Sequence, residues 1–85
     1  MNRARLLRRL HQGAVNNVAF GDMVDLLHGF GFEQARVNGS HHIFRHAAVP
    51  AMLNLQDVDG EAKPYQIRQF LRLIEEHNLT LETKA

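Results

Sequence analysis

Three histidines lie within six residues of one another, at positions 41, 42 and 46, and this grouping raises the possibility of a metal site. Metal binding requires the ring nitrogens to converge at about 2 Å from one ion. If the segment is a β-strand, His41 and His42 point to opposite faces, and roughly 13 Å separates His42 from His46. We therefore expect neither a metal nor another cofactor, and a metal-dependent hydrolase remains an alternative that a chelator would test.

A single imidazole beside arginines suits the cleavage of RNA, because RNA carries its own nucleophile in the 2′-hydroxyl. The protein then has to supply a group that transfers protons near neutral pH and cations that hold the phosphate. His41 is the candidate for proton transfer, and Arg36 and Arg45 are candidates for phosphate contact. Lys63 and Arg68, at the start of a predicted helix, are further phosphate-contact candidates.

The helices that must position these residues follow from the spacing of apolar side chains. Three segments carry apolar residues at the period of an amphipathic helix. The three stripes are Leu6, Leu7 and Leu10; Met23, Leu26, Leu27 and Phe30; and Ile67, Phe70, Leu71 and Ile74. Gly13 is predicted to end the first helix, Gly21 and Asp22 to begin the second, and Pro64 to begin the third.

Three further segments alternate with the period of a strand and indicate an antiparallel sheet. The predicted strands cover residues 32–37, 41–46 and 52–56. Asn38 and Gly39 predict a two-residue hairpin turn between the first two strands, and Asp59 and Gly60 predict a later turn. Such strands have one apolar face, so the sequence predicts an α+β two-layer sandwich with the helices on one face of a three-stranded sheet. The other face is left open.

A turn at Asn38 and Gly39 fixes which residues share a face. The pairs that it predicts are Val37 with Ser40, Arg36 with His41, and Ala35 with His42. Alternation then places Arg36, His41 and Arg45 on the open face. The residues predicted to face the helices are Ala35, Val37, His42 and Phe44. His42 and His46 are expected to lie beside the core and to bind backbone carbonyls.

The composition of the chain excludes several classes of protein. The chain has 85 residues, a formal net charge of +1 and no cysteine. We expect one domain, with neither a disulfide framework nor a thiolate zinc site. No apolar run is long enough for a membrane span or a secretion signal, so a cytoplasmic location is expected. The charges are unevenly distributed along the chain, since residues 1–12 carry four arginines and no acidic residue.

Composition and spacing alone leave less specific interpretations open. A histidine in a sheet is more often a packed or solvated residue than a catalyst. The arginines near the N-terminus are likewise more often a hydrated helix face than an RNA contact. On this basis the sequence predicts a small α/β domain with a basic, histidine-bearing open face.

The chain resembles the HicA family of toxin mRNA interferases in three segments. These read Val-Asn-Gly-Ser-His-His-Ile-Phe-Arg-His at 37–46, Leu-Asn-Leu-Gln at 53–56, and Ala-Lys-Pro-Tyr-Gln-Ile-Arg-Gln-Phe at 62–70. The resemblance covers about residues 20–80 and is closest to a longer subfamily with an added N-terminal helix. It implies an α-β-β-β-α fold like the double-stranded RNA-binding domain, over residues 20–85, preceded by a helical extension and connector over residues 1–19.

The resemblance also implies an activity and a partner. HicA toxins belong to type II toxin–antitoxin systems, cleave mRNA independently of the ribosome as part of a stress response, and are neutralised by a HicB-type antitoxin. Their catalytic histidine directly follows Gly-Ser, which assigns that role to His41 and makes Gly39 and Ser40 candidates for substrate contact. A non-catalytic RNA-binding or antitoxin-docking domain of the same fold is the alternative. The oligomeric state is left open.

Overall fold

A computed structural model describes residues 2–82, in which three helices pack on one face of an antiparallel sheet. The elements in chain order are α1 (Arg3–His11), α2 (Phe20–Gly29), β1 (Glu33–Asn38), β2 (His41–His46), β3 (Val49–Val58), β4 (Glu61–Ala62) and α3 (Pro64–Glu76). The predicted α+β class and the layer of helices are confirmed. The predicted domain end at residue 85 lies outside the described residues.

The helix ends follow from local chemistry. The side chain of Asn2 caps α1 by accepting a hydrogen bond from the Arg5 amide at 3.0 Å, and Gly13 takes a φ of 92° just after the helix. α2 begins at Phe20, one residue before the predicted start, and Pro64 opens α3 as predicted. No helix among residues 2–82 has the length and apolar character needed to cross a membrane.

The sheet has four strands in the order β1-β2-β3-β4, so the prediction of three strands was wrong. β4 contains two residues, too few to show an alternating pattern in the sequence. It pairs with the end of β3, which runs well beyond the predicted residues 52–56. Asp59 and Gly60 form the turn between the two strands as predicted, with φ values of 52° and 83°.

The hairpin between β1 and β2 turns one residue later than predicted. Gly39 and Ser40 form the turn, and Asn38 is the last residue of β1, opposite His41. Gly39 has a φ of 62°, and a glycine at the first turn position is typical of a type II′ turn, which does not need a positive φ at Asn38. The predicted pairs of Val37 with Ser40 and Arg36 with His41 were therefore wrong.

The corrected turn leaves the predicted faces almost unchanged. Each residue of β1 near the turn moves by two positions along β2, and two positions is one full period of a strand. Val37 therefore lies opposite His42 on the helix side, and Arg36 lies opposite Ile43 on the open side. Ala35 departs from the prediction, because a bulge between Gln34 and Arg36 takes it out of the pairing and leaves it exposed.

A single apolar core fills the space between the sheet and the helices. Phe44, Leu53 and Leu55 project into it from the sheet and are fully buried. The rings of Phe30 and Phe32 both meet the ring of Phe70 edge-on, with centroids 5.4 and 6.0 Å apart. On the other face of the sheet, side chains such as His41 and Arg45 are exposed to solvent.

The N-terminal helix α1 packs into the same core and is also held by an ion pair. Leu6 and Leu10 are each 1% exposed. The Arg3 guanidinium donates hydrogen bonds to both carboxylate oxygens of Asp25 on α2, at 3.0 and 2.9 Å. This hydrogen-bonded contact lowers the pKa of Asp25 below its usual range and raises the pKa of Arg3.

Candidate active site

His41 is the first residue of β2 and lies exposed on the open face, directly after the Gly39–Ser40 turn. Its Nδ1 atom lies 3.1 Å from Nδ2 and 3.3 Å from Oδ1 of Asn54, a residue of the neighbouring strand β3. Asn54 stands diagonally across from His41, because its direct partner in the register is Ile43. Nε2 of His41 has no hydrogen-bond partner among residues 2–82, so it is the nitrogen available to a substrate.

Ser40 and Gln56 stand beside His41. Gln56 is the direct partner of His41 in the register, and its Nε2 donates a hydrogen bond to Oγ of Ser40 at 3.4 Å. The Asp57 amide also donates to the Ser40 carbonyl, at 2.9 Å. These contacts fix the turn against β3. The sequence predicted a strand over residues 52–56 but did not show that Asn54 contacts His41 or that Gln56 contacts Ser40.

The two arginines predicted for the open face lie there at different distances from His41. Arg36 is opposite Ile43 and therefore diagonal to His41, a relation that separates two residues by about 7–8 Å. Arg45 lies four residues along β2, roughly 13 Å from His41 at about 3.3 Å per residue. It also stands opposite Glu33. Arg36 is thus the cation better placed to act together with His41.

Lys63 and Arg68 lie at the start of α3, and no hydrogen bond or ion pair joins either to His41 in residues 2–82. Lys63 precedes the helix, and its Nζ lies 5.6 Å from the centroid of the Tyr65 ring. Arg68 is exposed on the first turns of α3. The start of α3 is nevertheless tied to strand β3 by Gln66, a buried side chain whose Oε1 accepts a hydrogen bond from the Gln56 backbone amide at 2.6 Å.

His42 lies on the helix side of the sheet, as alternation predicted. Its ring packs against Phe20 with centroids 4.6 Å apart, and its Nδ1 lies 3.0 Å from Oε1 of Gln34. The expectation that His42 binds a backbone carbonyl was wrong, because the bulge in β1 brings the Gln34 side chain within reach instead. His42 cannot share a ligand with His41, since the sheet lies between their side chains.

His46 joins the end of β2 to the end of α2. Its Nδ1 accepts a hydrogen bond from the Ala48 amide at 3.0 Å, which leaves the proton on Nε2 to be donated to the Phe30 carbonyl at 2.8 Å. The predicted bond to a backbone carbonyl is confirmed. Its ring meets Phe32 edge-on at 5.0 Å. Both nitrogens of His46 are therefore engaged in holding the fold.

The three histidines do not converge on one point. In the part of the chain that the structure describes, no group of three or more histidine, aspartate or glutamate side chains could hold a metal ion. What the open face offers instead is a solvent-accessible imidazole with a neighbouring amide and a guanidinium. This combination can transfer a proton and bind an anion.

The fold and the open face together define a small α+β protein with an exposed histidine on an uncovered antiparallel sheet. A family model described as the HicA toxin of bacterial toxin–antitoxin systems matches residues 20–75, so the chain belongs to the HicA toxin family. The protein is thus a nuclease-type toxin with an antitoxin as its partner. Searches of curated proteins and of solved structures found no match.

Proposed function

We propose that this protein is a metal-independent endoribonuclease that cleaves mRNA with His41 as a general acid or base. In this proposal it acts in the cytoplasm as the toxin of a type II system and is neutralised by a HicB-type antitoxin. It uses no cofactor. The observation that carries the proposal is the environment of His41, which is exposed on the open face with one nitrogen against Asn54 and the other free.

The reaction needs little from the protein. The 2′-oxygen of a ribose attacks the adjacent phosphorus as the 2′-hydroxyl loses its proton, and the bond from phosphorus to the 5′-oxygen of the next nucleotide breaks. That 5′-oxygen takes up a proton as it leaves, and a 2′,3′-cyclic phosphate remains. Nε2 of His41 either accepts the first proton or donates the second. An imidazole accepts a proton when it is neutral and donates one when it is charged, so it can serve in either step.

Asn54 determines which role is open to His41. If its Oδ1 accepts a hydrogen bond from the Nδ1–H group, Nε2 of the neutral ring carries a lone pair and acts as the base, and Nε2 of the protonated ring carries a proton and acts as the acid. If its Nδ2 donates to Nδ1, the neutral ring carries its proton on Nε2, which can then donate a hydrogen bond to the phosphate but has no lone pair with which to act as a base. The two distances, 3.3 Å to Oδ1 and 3.1 Å to Nδ2, are compatible with both orientations of the amide.

The cations supply the charge stabilisation that phosphoryl chemistry requires. Arg36 is the candidate for the scissile phosphate, because it is diagonal to His41 on the same face. Arg45, Lys63 and Arg68 are candidates for contacts to phosphates further along the strand. Gly39 and Ser40 form the turn that leads into His41, and the absence of a side chain at Gly39 allows the RNA backbone to approach closely.

We also propose that the activity resides in the part of the chain that follows residue 19, with α1 as an extension. The family model begins at residue 20, and every proposed substrate contact lies beyond that point. The buried Leu6 and Leu10 then serve to cover the helix layer.

The decisive experiment in cells compares induction of the wild-type protein with induction of the His41→Ala variant, each with and without the antitoxin gene. Electrophoresis of cellular RNA should show cleavage with the wild type alone, and none with the variant or in the presence of the antitoxin. Intact mRNA with purified wild type, combined with tight RNA binding, would instead favour a non-catalytic binding domain. Loss of cleavage in EDTA would favour a metal-dependent hydrolase.

A further inference from the structure

Tyr65, in the first turn of α3, is exposed to 57%, more than any other large apolar or aromatic side chain of residues 2–82. The ring is nevertheless held in place. The Tyr65 hydroxyl accepts a hydrogen bond from Nε2 of Gln66 at 3.4 Å, and Nζ of Lys63 lies 5.6 Å from the ring centroid. An ordered aromatic ring that is more than half in water offers its surface to a ligand.

Tyr65 is connected to strand β3 through one buried side chain. Gln66 is 1% exposed, and its amide contacts the Tyr65 hydroxyl on one side and the backbone amide of Gln56 on the other. The phenol oxygen therefore lies within about 8 Å of the Gln56 nitrogen. Gln56 is the register partner of His41. The phenol oxygen thus lies near the part of β3 that pairs with β2 at His41.

Two arginines continue from Tyr65 along α3. Arg68 and Arg72 follow at three and seven residues, which places them on the same face of the helix as the ring, and both are exposed. The ion pair of Arg3 with Asp25 is the one salt bridge within residues 2–82, so neither of these arginines is neutralised by a carboxylate there.

We propose that Tyr65 is a stacking site for an unpaired base of the RNA, with Arg68 and Arg72 on the adjoining phosphates. An aromatic ring flanked by cations is the combination with which proteins bind single-stranded nucleic acid, because every base has a face that can stack. In a duplex the base faces are already stacked, so the site selects single-stranded RNA. This inference rests on the proposed function, since its ligand is the proposed substrate.

The chain provides its own probe for this site. Tyr65 is the sole tyrosine and there is no tryptophan, so the intrinsic fluorescence reports on one ring. The full-length His41→Ala protein, which should leave RNA intact, is titrated with a single-stranded RNA oligonucleotide. Tyrosine emission should be quenched, with the same Kd as the anisotropy of a labelled oligonucleotide. A duplex of the same sequence, or a strand with abasic sites, should quench much less.

Substitutions in the His41→Ala background give an independent measurement. Tyr65→Ala should weaken binding of the single strand by about 5- to 100-fold, whereas Tyr65→Phe keeps the ring and should bind as before. Arg68→Ala should lower the salt dependence of binding by the contribution of about one phosphate. Val58→Ala, an exposed apolar side chain outside α3, is the matched control and should change little.

Unchanged tyrosine emission at saturating RNA, or equal affinity of the Tyr65→Ala and Tyr65→Phe proteins, would overturn the inference. Absence of any RNA binding would also overturn it, as would a response of Tyr65 to the antitoxin alone, which would make the ring a protein contact. The proposed function is judged separately by cleavage with Tyr65 intact. A His41→Ala protein that still cleaves RNA contradicts the function, whereas a Tyr65→Ala protein that binds and cleaves normally contradicts only the stacking site.

Discussion

β2 has a histidine at each end, and the two rings differ in how many of their nitrogens are hydrogen-bonded within the protein. His46 has both ring nitrogens bonded within the protein, to the Ala48 amide and the Phe30 carbonyl, and its ring packs on Phe32. His41 has one nitrogen against a side-chain amide and the other free on an exposed face. A histidine with no free nitrogen can hold a fold, and one with a free nitrogen in solvent can exchange protons with a substrate. The difference therefore supports a structural role for His46 and the proton-transfer role that we propose for His41.

The largest expected effect separates these two roles by substitution. His41→Ala should lower the rate of RNA cleavage by about 10²- to 10⁴-fold, because it removes the proton-transfer group, and should leave the thermal midpoint nearly unchanged. His46→Ala should lower the free energy of unfolding by about 1–3 kcal/mol, because it leaves a backbone amide and a carbonyl without a partner. Cleavage rates are measured on folded protein and unfolding is followed by circular dichroism. Equal losses of cleavage activity in the two variants would contradict the separation of a catalytic from a structural histidine.

A second prediction tests how tightly the structural end is packed. Gly31 has a φ of 90°, and a Cβ atom built there lies 3.0 Å from Nε2 of His46, so Gly31→Ala adds a steric conflict to the backbone strain. The expected loss is about 1–3 kcal/mol of unfolding free energy. Gly13→Ala is the matched control, because Gly13 has a φ of 92° with no atom within 4 Å. If both variants unfold at the same denaturant concentration, His46 does not restrict this position.

The sequence predicted the faces of the sheet better than it predicted the contacts across it. Arg36 and His41 were placed on one face because alternation within a strand is a local property, and the faces survive a turn displaced by one residue. The partnership of His41 with Asn54 depends on the register of β2 against β3, which no local pattern encodes. β4 was missed for a related reason, since two residues carry no period and pair only because β3 is already in place.

A third prediction tests whether the contact of Asn54 with His41 contributes to cleavage. Asn54→Ala should reduce kcat by up to about 10-fold, since it removes one hydrogen bond from the imidazole and frees its rotation. It should also alter the tautomer populations of His41, seen in the nitrogen chemical shifts of the ring. Gln56→Ala is the control, because Gln56 contacts Ser40 and not the imidazole. Unchanged kcat and unchanged ring shifts in Asn54→Ala would remove Asn54 from the site.

The smallest expected effect concerns the Arg3–Asp25 pair, which lies in the helix layer. Because the pKa of Asp25 is lowered in the folded state, the pair stabilises the protein above the unfolded-state pKa, about 3.9, and this contribution is lost as pH falls through the folded-state pKa. The side chains are 39% and 45% exposed, so the contribution is small. The thermal midpoints of wild type and Asp25→Asn should differ slightly at pH 7 and converge at low pH. A difference that is independent of pH would contradict this assignment.

The most direct test of the central claim uses a substrate changed at one atom. Purified wild-type protein in EDTA is given an RNA oligonucleotide and its copy with a single 2′-deoxy nucleotide at the cleaved position. We predict that the RNA is cut to a 2′,3′-cyclic phosphate and a 5′-hydroxyl end, and that the 2′-deoxy strand stays intact at that position. Cleavage of the 2′-deoxy strand at the same bond would show that water and not the ribose is the nucleophile, and would contradict the role given to His41.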